Sequence, residues 1–345
     1  MTPFSVFFGG PDRPPRLLRD LLEEHVEAVP RGGEILWISY YFRDQALGEA
    51  LVRARQRGVS VKVVIEGAPR LKTANDAIRR RLEGENGLGH GFRSVVHSVP
   101  CHVHEKLYYF SAPSPVAFVG SFNPSGNRPE DPEVIREIGD QDRGHNALVA
   151  ISDPLIVRGL AAHARWLHEG GHGLLERVSP VINAPLLSDA MRAWFFPRWR
   201  SDVLIRLLQS QGSGARLTVV VSHLNDKRVL DTFIGLAKKG ASVEVLAHET
   251  WRRVPRHVGE ALVKGGVGFR RYAHPERLPM HNKFLLLETD HRKQVVFGSM
   301  NLTVASRWVN HEIVIITEDE KLFRAFEERW ECMVSEPWVR SPLKP

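Results

Sequence analysis

The chain alternates apolar runs of strand length with stretches of helical period, and it does so twice in the same order. ILWISYYF at 35–42 is followed by apolar positions at three and four spacing, Leu47, Ala50, Leu51 and Ala54. Gly58 ends that helix, and RGVSVKVVIEG at 57–67 returns to a strand. The order recurs at LTVVVSHL (217–224), with Leu230, Phe233, Ile234 and Ala237 on the helix face, Gly240 at its end and KGASVEVLAHE at 239–249. Both halves continue through a basic or Gly-rich segment, a further apolar strand, a Gly-Ser turn, another strand (NALVAI and HEIVIIT) and a helix. Self-similarity on this scale predicts two α/β repeats. They are placed at 1–170 and 212–345, joined by a linker with helical parts at 171–211 that carries the aromatic run WFFPRW. Trp194, Phe195, Phe196 and Trp199, with Arg192, Arg198 and Arg200, have the composition of an interfacial anchor, but packing between the halves is the favoured use.

Each repeat carries one His-x-Lys on its third strand and one Gly-Ser-x-Asn after the next. The first set is HEKLYYF then GSFN: His104, Lys106, Gly120, Ser121 and Asn123. The second is HNKFLLLE then GSMN: His281, Lys283, Gly298, Ser299 and Asn301. On a strand, residues i and i+2 share a face, so each His projects beside its Lys. Ser121 with Asn123, and Ser299 with Asn301, then offer hydroxyl and amide donors for nonbridging phosphate oxygens. Two imidazoles permit one to attack phosphorus while the other protonates the leaving oxygen and later activates the incoming water or alcohol. Lysines and amides stabilise the developing negative charge without a metal or cofactor. This inventory suits a phosphodiester.

Composition narrows the setting. The chain has 345 residues, enough for one large or two ordinary domains. No apolar run approaches the roughly 20 residues that span a bilayer, so no integral membrane segment is expected. The start, MTPFSVFFGGPDRPP, lacks the basic opening and sustained apolar run of a secretory signal. Cys101 and Cys332 offer neither a disulfide framework nor zinc spacing, which fits a reducing cytoplasm, with peripheral association to the inner membrane as an extension. The net charge of +7, with clusters at Arg79–Arg81 and at Arg252, Arg253 and Arg256, attracts polyanions of either kind, anionic lipid headgroups or nucleic acid.

The paired motifs resemble those of the phospholipase D superfamily, whose pattern is HxKxxxxD followed by GSxN in each of two repeats. The resemblance extends from about residue 30 to 333. It implies a duplicated α/β/α sandwich with one site at the pseudo-twofold interface, complete without an oligomer. It assigns the catalytic and phosphate-binding roles to His104, Lys106, Ser121, Asn123, His281, Lys283, Ser299 and Asn301. The tail GSMNLTVASRWVNHE resembles the cardiolipin synthase and bacterial nuclease versions. The motif's Asp is replaced by Ser111 in the first repeat and Glu288 in the second, which predicts weakened buttressing rather than lost chemistry. A carboxylate from the last strand is implied to orient a catalytic imidazole across the interface. Glu312 fills that role toward His104, making His104 the nucleophile and His281 the acid and base. Aligning NHEIVII with HNALVAI sets Ala147 opposite Glu312 and leaves Glu137 as a candidate partner for His281.

Other histidines receive plainer readings. His163, His168 and His172 are expected to be surface residues near a helix end, because Gly170 and Gly171 interrupt any metal-binding helix face. His102 is placed beside the site at its rim. The function expected is phospholipid headgroup hydrolysis or phosphatidyl transfer at a membrane surface, with a metal-independent nuclease as the alternative.

Overall fold

A computed structural model describes residues 4–97, 101–126, 132–171 and 183–340. His172 lies outside the described residues. The first sheet holds β1 (Phe4–Gly9), β2 (Glu34–Ser39), β3 (Ser60–Glu66), β4 (Phe92–Val95), β5 (Leu107–Phe110), β6 (Val116–Gly120) and β7 (Asn146–Ile151), in the order β1-β7-β6-β5-β2-β3-β4. The second holds β8 (Leu186–Leu187), β9 (Met191–Phe196), β10 (Arg216–Val221), β11 (Ser242–His248), β12 (Gly268–Tyr272), β13 (Phe284–Thr289), β14 (Arg292–Gly298), β15 (Glu312–Thr317) and β16 (Val339–Arg340), in the order β16-β12-β11-β10-β13-β14-β15-β9-β8. Apart from the short β8 and β16, the two orders superpose strand for strand. In both, three parallel strands are joined by antiparallel pairing to the two motif strands.

Helices α1 (Leu17–Ala28), α2 (Gln45–Gln56) and α3 (Asp76–Glu83) cover the outer face of the first sheet, burying Leu22, Leu51 and Ile78 against Trp37, Ile65 and Phe110. The second sheet is covered by α6 (Val203–Gln209), α7 (Lys227–Lys238) and α8 (Arg256–Lys264), through Leu208, Phe233 and Leu262. Asp44 starts α2 by accepting from Leu47 N at 2.8 Å, and Asp226 starts α7 by accepting from Arg228 N at 3.0 Å. A third core lies between the sheets and draws on both halves. Leu107, Val119 and Val149 meet Phe284, Phe297 and Ile313 there, together with residues of α5 (Pro154–His168) and α9 (Glu320–Val334). This is the duplicated α/β/α sandwich.

The stretch 171–211 differs from the linker expected. Met191–Phe196 is a strand, antiparallel to β15, and it occupies the place that β1 has beside β7. Its burial alternates, with Met191, Ala193 and Phe195 facing the shared core and Arg192 exposed. The aromatic cluster and Pro197 hid that period of two. Only Val203–Gln209 is helical among the described residues of this stretch. Phe195 stacks on His163 of α5, ring centroids 3.9 Å apart, so this side chain packs between the halves, whereas Trp199 is 77% exposed.

Backbone bridges also cross between the halves. Val103 pairs with His311 and His145 with Met280, both parallel. His104 N donates to His311 O at 3.0 Å, and His281 N donates to His145 O at 2.9 Å. Each motif histidine is thereby held against the last strand of the other repeat.

If Phe195 is a shared-core residue, Phe195→Ala costs about 3–5 kcal/mol of stability in denaturant unfolding. Trp199→Ala changes it by less than about 0.5 kcal/mol. The reverse ranking would mean that the strand assignment is wrong.

Candidate active site

The glycine of each Gly-Ser-x-Asn is dictated by backbone approach. A Cβ on Gly120 would lie 2.0 Å from Ala147 O, and one on Gly298 would lie 2.1 Å from Ile313 O. Gly298 also has φ of +146°. With no Cβ in the way, Ser121 N reaches Ala147 O at 2.9 Å and Ser299 N reaches Ile313 O at 3.0 Å, locking each turn to the last strand of its sheet.

Across the interface the two histidines meet different partners. His104 Nδ1 lies 2.9 Å from Glu312 Oε2, and His281 Nδ1 lies 3.0 Å from Asn146 Oδ1. Asn146 Nδ2 donates to Gln141 O at 2.7 Å, which turns its oxygen toward His281. Both imidazoles therefore carry their proton on Nδ1 and present a bare Nε2. Glu312 and Asn146 are equivalent positions in the two sheets. The expected counterpart, Ala147, is one residue out of register, and its backbone instead pairs with Ser121. Glu137, the expected partner of His281, lies on α4 (Pro132–Ile138), where it pairs with Arg70 at 3.4 Å.

The serines differ from their expected role as phosphate donors. Ser121 Oγ donates to Asn146 Oδ1 at 3.2 Å, and Ser299 Oγ donates to Glu312 Oε2 at 2.5 Å. Each hydroxyl has one proton, and it is committed behind the imidazole rather than to the pocket. The asparagines do face the pocket. Asn123 Oδ1 accepts from Tyr41 N at 3.2 Å, which leaves its amide protons for a ligand. Lys106 Nζ donates to His104 O at 2.6 Å and Lys283 Nζ to His281 O at 2.8 Å, so each ammonium is anchored beneath its own histidine. Ser111 and Glu288 lie five residues beyond those lysines, about 17 Å along an extended chain. Ser111 Oγ accepts from Glu34 N, and Glu288 pairs with Arg216 and Lys293, so neither buttresses the site.

His104, His281, Asn123 and Asn301 open onto one pocket of about 190 Å³ whose wall also includes His102, Tyr40, Tyr41 and His223. None of Trp194–Trp199 lines it. Tyr41 and His223 follow equivalent strands and belong to neither sequence motif. Their position just past β2 and β10, at the carboxyl ends of central strands, was the available signal.

Burial dominates the electrostatics. It holds both His104 and His281 well below the ordinary imidazole value, reinforced by the charges of Lys106 and Lys283. It brings Lys106 down to about 7, and it pushes Glu312 up to about 8 against the pull of Lys106 and Ser299. A site that penalises its own cations in this way is relieved by a bound anion.

Two further clusters serve structure. His163 is buried, not at the surface: its Nε2 lies 2.9 Å from Glu105 Oε1, the residue between His104 and Lys106. His168 is buried too. Asp12, His145 and Glu336 have metal-ligand spacing, but the Arg329 guanidinium fills the cluster, 2.7 Å from both Asp12 Oδ2 and His145 Nδ1. No helix among the described residues is long and apolar enough to cross a membrane.

A sequence profile for the family described as "Cardiolipin synthase, PLD-like domain" matches residues 32–133 and 204–334, more than half of the chain. The chain belongs to that phospholipase D-like family. It is 29% identical over 130 residues to a mitochondrial cardiolipin hydrolase of Danio rerio, a match covering 38% of this chain and 54% of that protein. The chain thus spans about half the length of that curated relative. Its fold is similar to phosphatidylserine synthase of Haemophilus influenzae Rd KW20, with TM-score 0.70 and 12% identity over 98% of this chain and 87% of that one. It is also similar to polyphosphate kinase from Porphyromonas gingivalis, with TM-score 0.65 and 14% identity over 96% of this chain and 50% of that one.

The candidate site has a linkage signature. An anion that raises the Lys106 value binds with full affinity below about pH 7 and loses up to about tenfold per pH unit above it, until the value in the complex is passed. Sulfate, whose own charge is constant near neutrality, reports this by calorimetry. A flat affinity from about pH 6 to about pH 9 would contradict the desolvated lysine.

Proposed function

We propose that this protein is a phosphodiesterase of the phospholipase D type that works through a phosphohistidine on His104, with phospholipid headgroup hydrolysis or phosphatidyl transfer as its reaction. The observation that carries the reading is the crossed pairing of His104 with Glu312 and of His281 with Asn146 beside one pocket. In the first step His104 Nε2 forms a bond to phosphorus as the bond to the leaving oxygen breaks, and His281 gives that oxygen a proton. Attack leaves positive charge on the His104 ring, which the Glu312 carboxylate stabilises and an amide would not. Lys106, Lys283, Asn123 and Asn301 hold the nonbridging oxygens. In the second step His281 takes the proton from water or an alcohol, whose oxygen displaces His104 from phosphorus.

An anionic diester beside Lys106 and Lys283 raises the affinity of His281 for the proton it must give, offsetting the effect of burial. Lipid as the substrate class is supported by the family description, which names cardiolipin synthase, and by the relative named as a cardiolipin hydrolase. The second reading, a metal-independent nuclease, draws on the arginines of the pocket wall and the net charge of +7. The expected setting is the cytoplasmic surface of a membrane, with the protein bound peripherally.

Purified protein in EDTA, given anionic phospholipid vesicles, is expected to release or exchange headgroups and to leave single- and double-stranded DNA and RNA intact. Cleavage of nucleic acid without headgroup turnover reverses the choice of substrate. His104→Ala and His281→Ala each abolish turnover if the site is shared, and either variant keeping most of it would sink the mechanism. Glu312→Gln lowers kcat by about 10²–10⁴-fold and shifts the pH profile, with the fold retained.

A further inference from the structure

Three arginines share the pocket wall with the histidines, and one phosphodiester does not account for them. Arg70 follows β3, and Arg252 and Arg253 follow β11, so equivalent loops of the two repeats meet over the site from the carboxyl ends of equivalent strands. Arg253 is 6% exposed, and among the described residues its guanidinium hydrogen-bonds to neutral groups: Nη1 donates to Ser222 Oγ at 3.2 Å and Nη2 to Ile138 O at 3.3 Å. Its Nε–H is buried with no acceptor among the described residues. Arg252 forms no ion pair among the described residues. Arg70 has one carboxylate, Glu137, at 3.4 Å. Among the described residues, no Asp or Glu lines the pocket.

Such an arrangement is unfavourable as it stands. Burial, reinforced by the neighbouring charges of Arg252 and Arg70, lowers the Arg253 value to about 9. Uncompensated buried charge costs stability unless something is gained by it. A single diester carries one negative charge, and the buried Lys106 and Lys283 beneath the histidines already supply positive charge for it. The arginine side of the pocket therefore has capacity for another.

We propose that Arg253, Arg252 and Arg70 form a second anion subsite that takes a further phosphate on the same phospholipid headgroup as the diester at His104. Arg253 presents its unpaired N–H at the base of this subsite, and Arg252 and Arg70 close over it from opposite repeats. Guanidinium groups suit a phosphate's multiple acceptors better than ammonium groups do. The inference rests on the lipid reading above and narrows it to headgroups with more than one phosphate.

A minimal pair of soluble probes tests it: dihexanoyl phosphatidylglycerol and the same lipid phosphorylated at its terminal hydroxyl, both below their micelle concentration. Binding is measured by calorimetry in EDTA, and turnover is followed separately. The phosphorylated lipid is expected to bind about tenfold to a hundredfold tighter. Arg252→Ala, an exposed position, and the double variant Arg70→Ala/Arg252→Ala remove most of that preference. Arg253→Lys, which keeps the charge but not the fork, weakens it. Equal binding of the two lipids, or equal losses on both in the variants, overturns the subsite. A binding preference without turnover of either lipid keeps the subsite and removes the phosphodiesterase reading. A phosphorylated dithymidylate that binds tighter than both lipids, with the same arginine dependence, overturns the lipid assignment.

Discussion

Everything in the site follows from two backbone bridges between the repeats, Val103 with His311 and His145 with Met280. Each fixes the strand before a motif histidine against the residue before its polar partner. The contact is parallel and local, so the register admits no slip without moving a histidine off its partner by a full residue. The shared core behind the bridges holds them in place, with Phe195 and His163 stacked at one side and the Asp12–Arg329–His145–Glu336 cluster at the other. The geometry of the candidate site is thus a property of the interface, with residues drawn from both repeats.

The symmetry of the backbone makes the asymmetry of the side chains informative. Equivalent positions carry Glu312 and Asn146, backed by equivalent serines that hold the same hydrogen bond. Exchanging a carboxylate for an amide on a side chain one methylene shorter changes how much positive charge the neighbouring imidazole can bear, while the distance to the imidazole stays near 3 Å. Burial then amplifies the difference, because a charge withdrawn from water depends on its immediate partner. One duplicated backbone thereby sets its two histidines in different electrostatic surroundings.

Much of the fold was legible because its signals are local. The apolar runs, the helical spacing of Leu47–Ala54 and Leu230–Ala237, and the glycines at 58 and 240 each specify their own element. What escaped depended on distance or on masking. Met191–Phe196 alternates as a strand should, yet its consecutive aromatics and Pro197 obscured the period. The motif residues His104, Lys106, Asn123, His281, Lys283 and Asn301 are brought together as their spacing suggested. The serines are turned away, since their orientation is set by Asn146 and Glu312 on another strand. Asn146 itself gave no signal: its partner His281 is 135 residues away, and a one-residue error in matching the last strands put Ala147 in its place. His163 looked like a surface residue because its partner Glu105 lies 58 residues away, in the segment just before β5.

The central claim is that one composite site assigns nucleophile and acid by the partner behind each imidazole. Rapid quenching during turnover, followed by peptide mapping of the phosphoryl-histidine adduct by mass spectrometry, tests it most directly. The account predicts the adduct on the peptide containing His104 and its loss in Glu312→Gln. An adduct on His281, with Glu312→Gln leaving it undiminished, would contradict it.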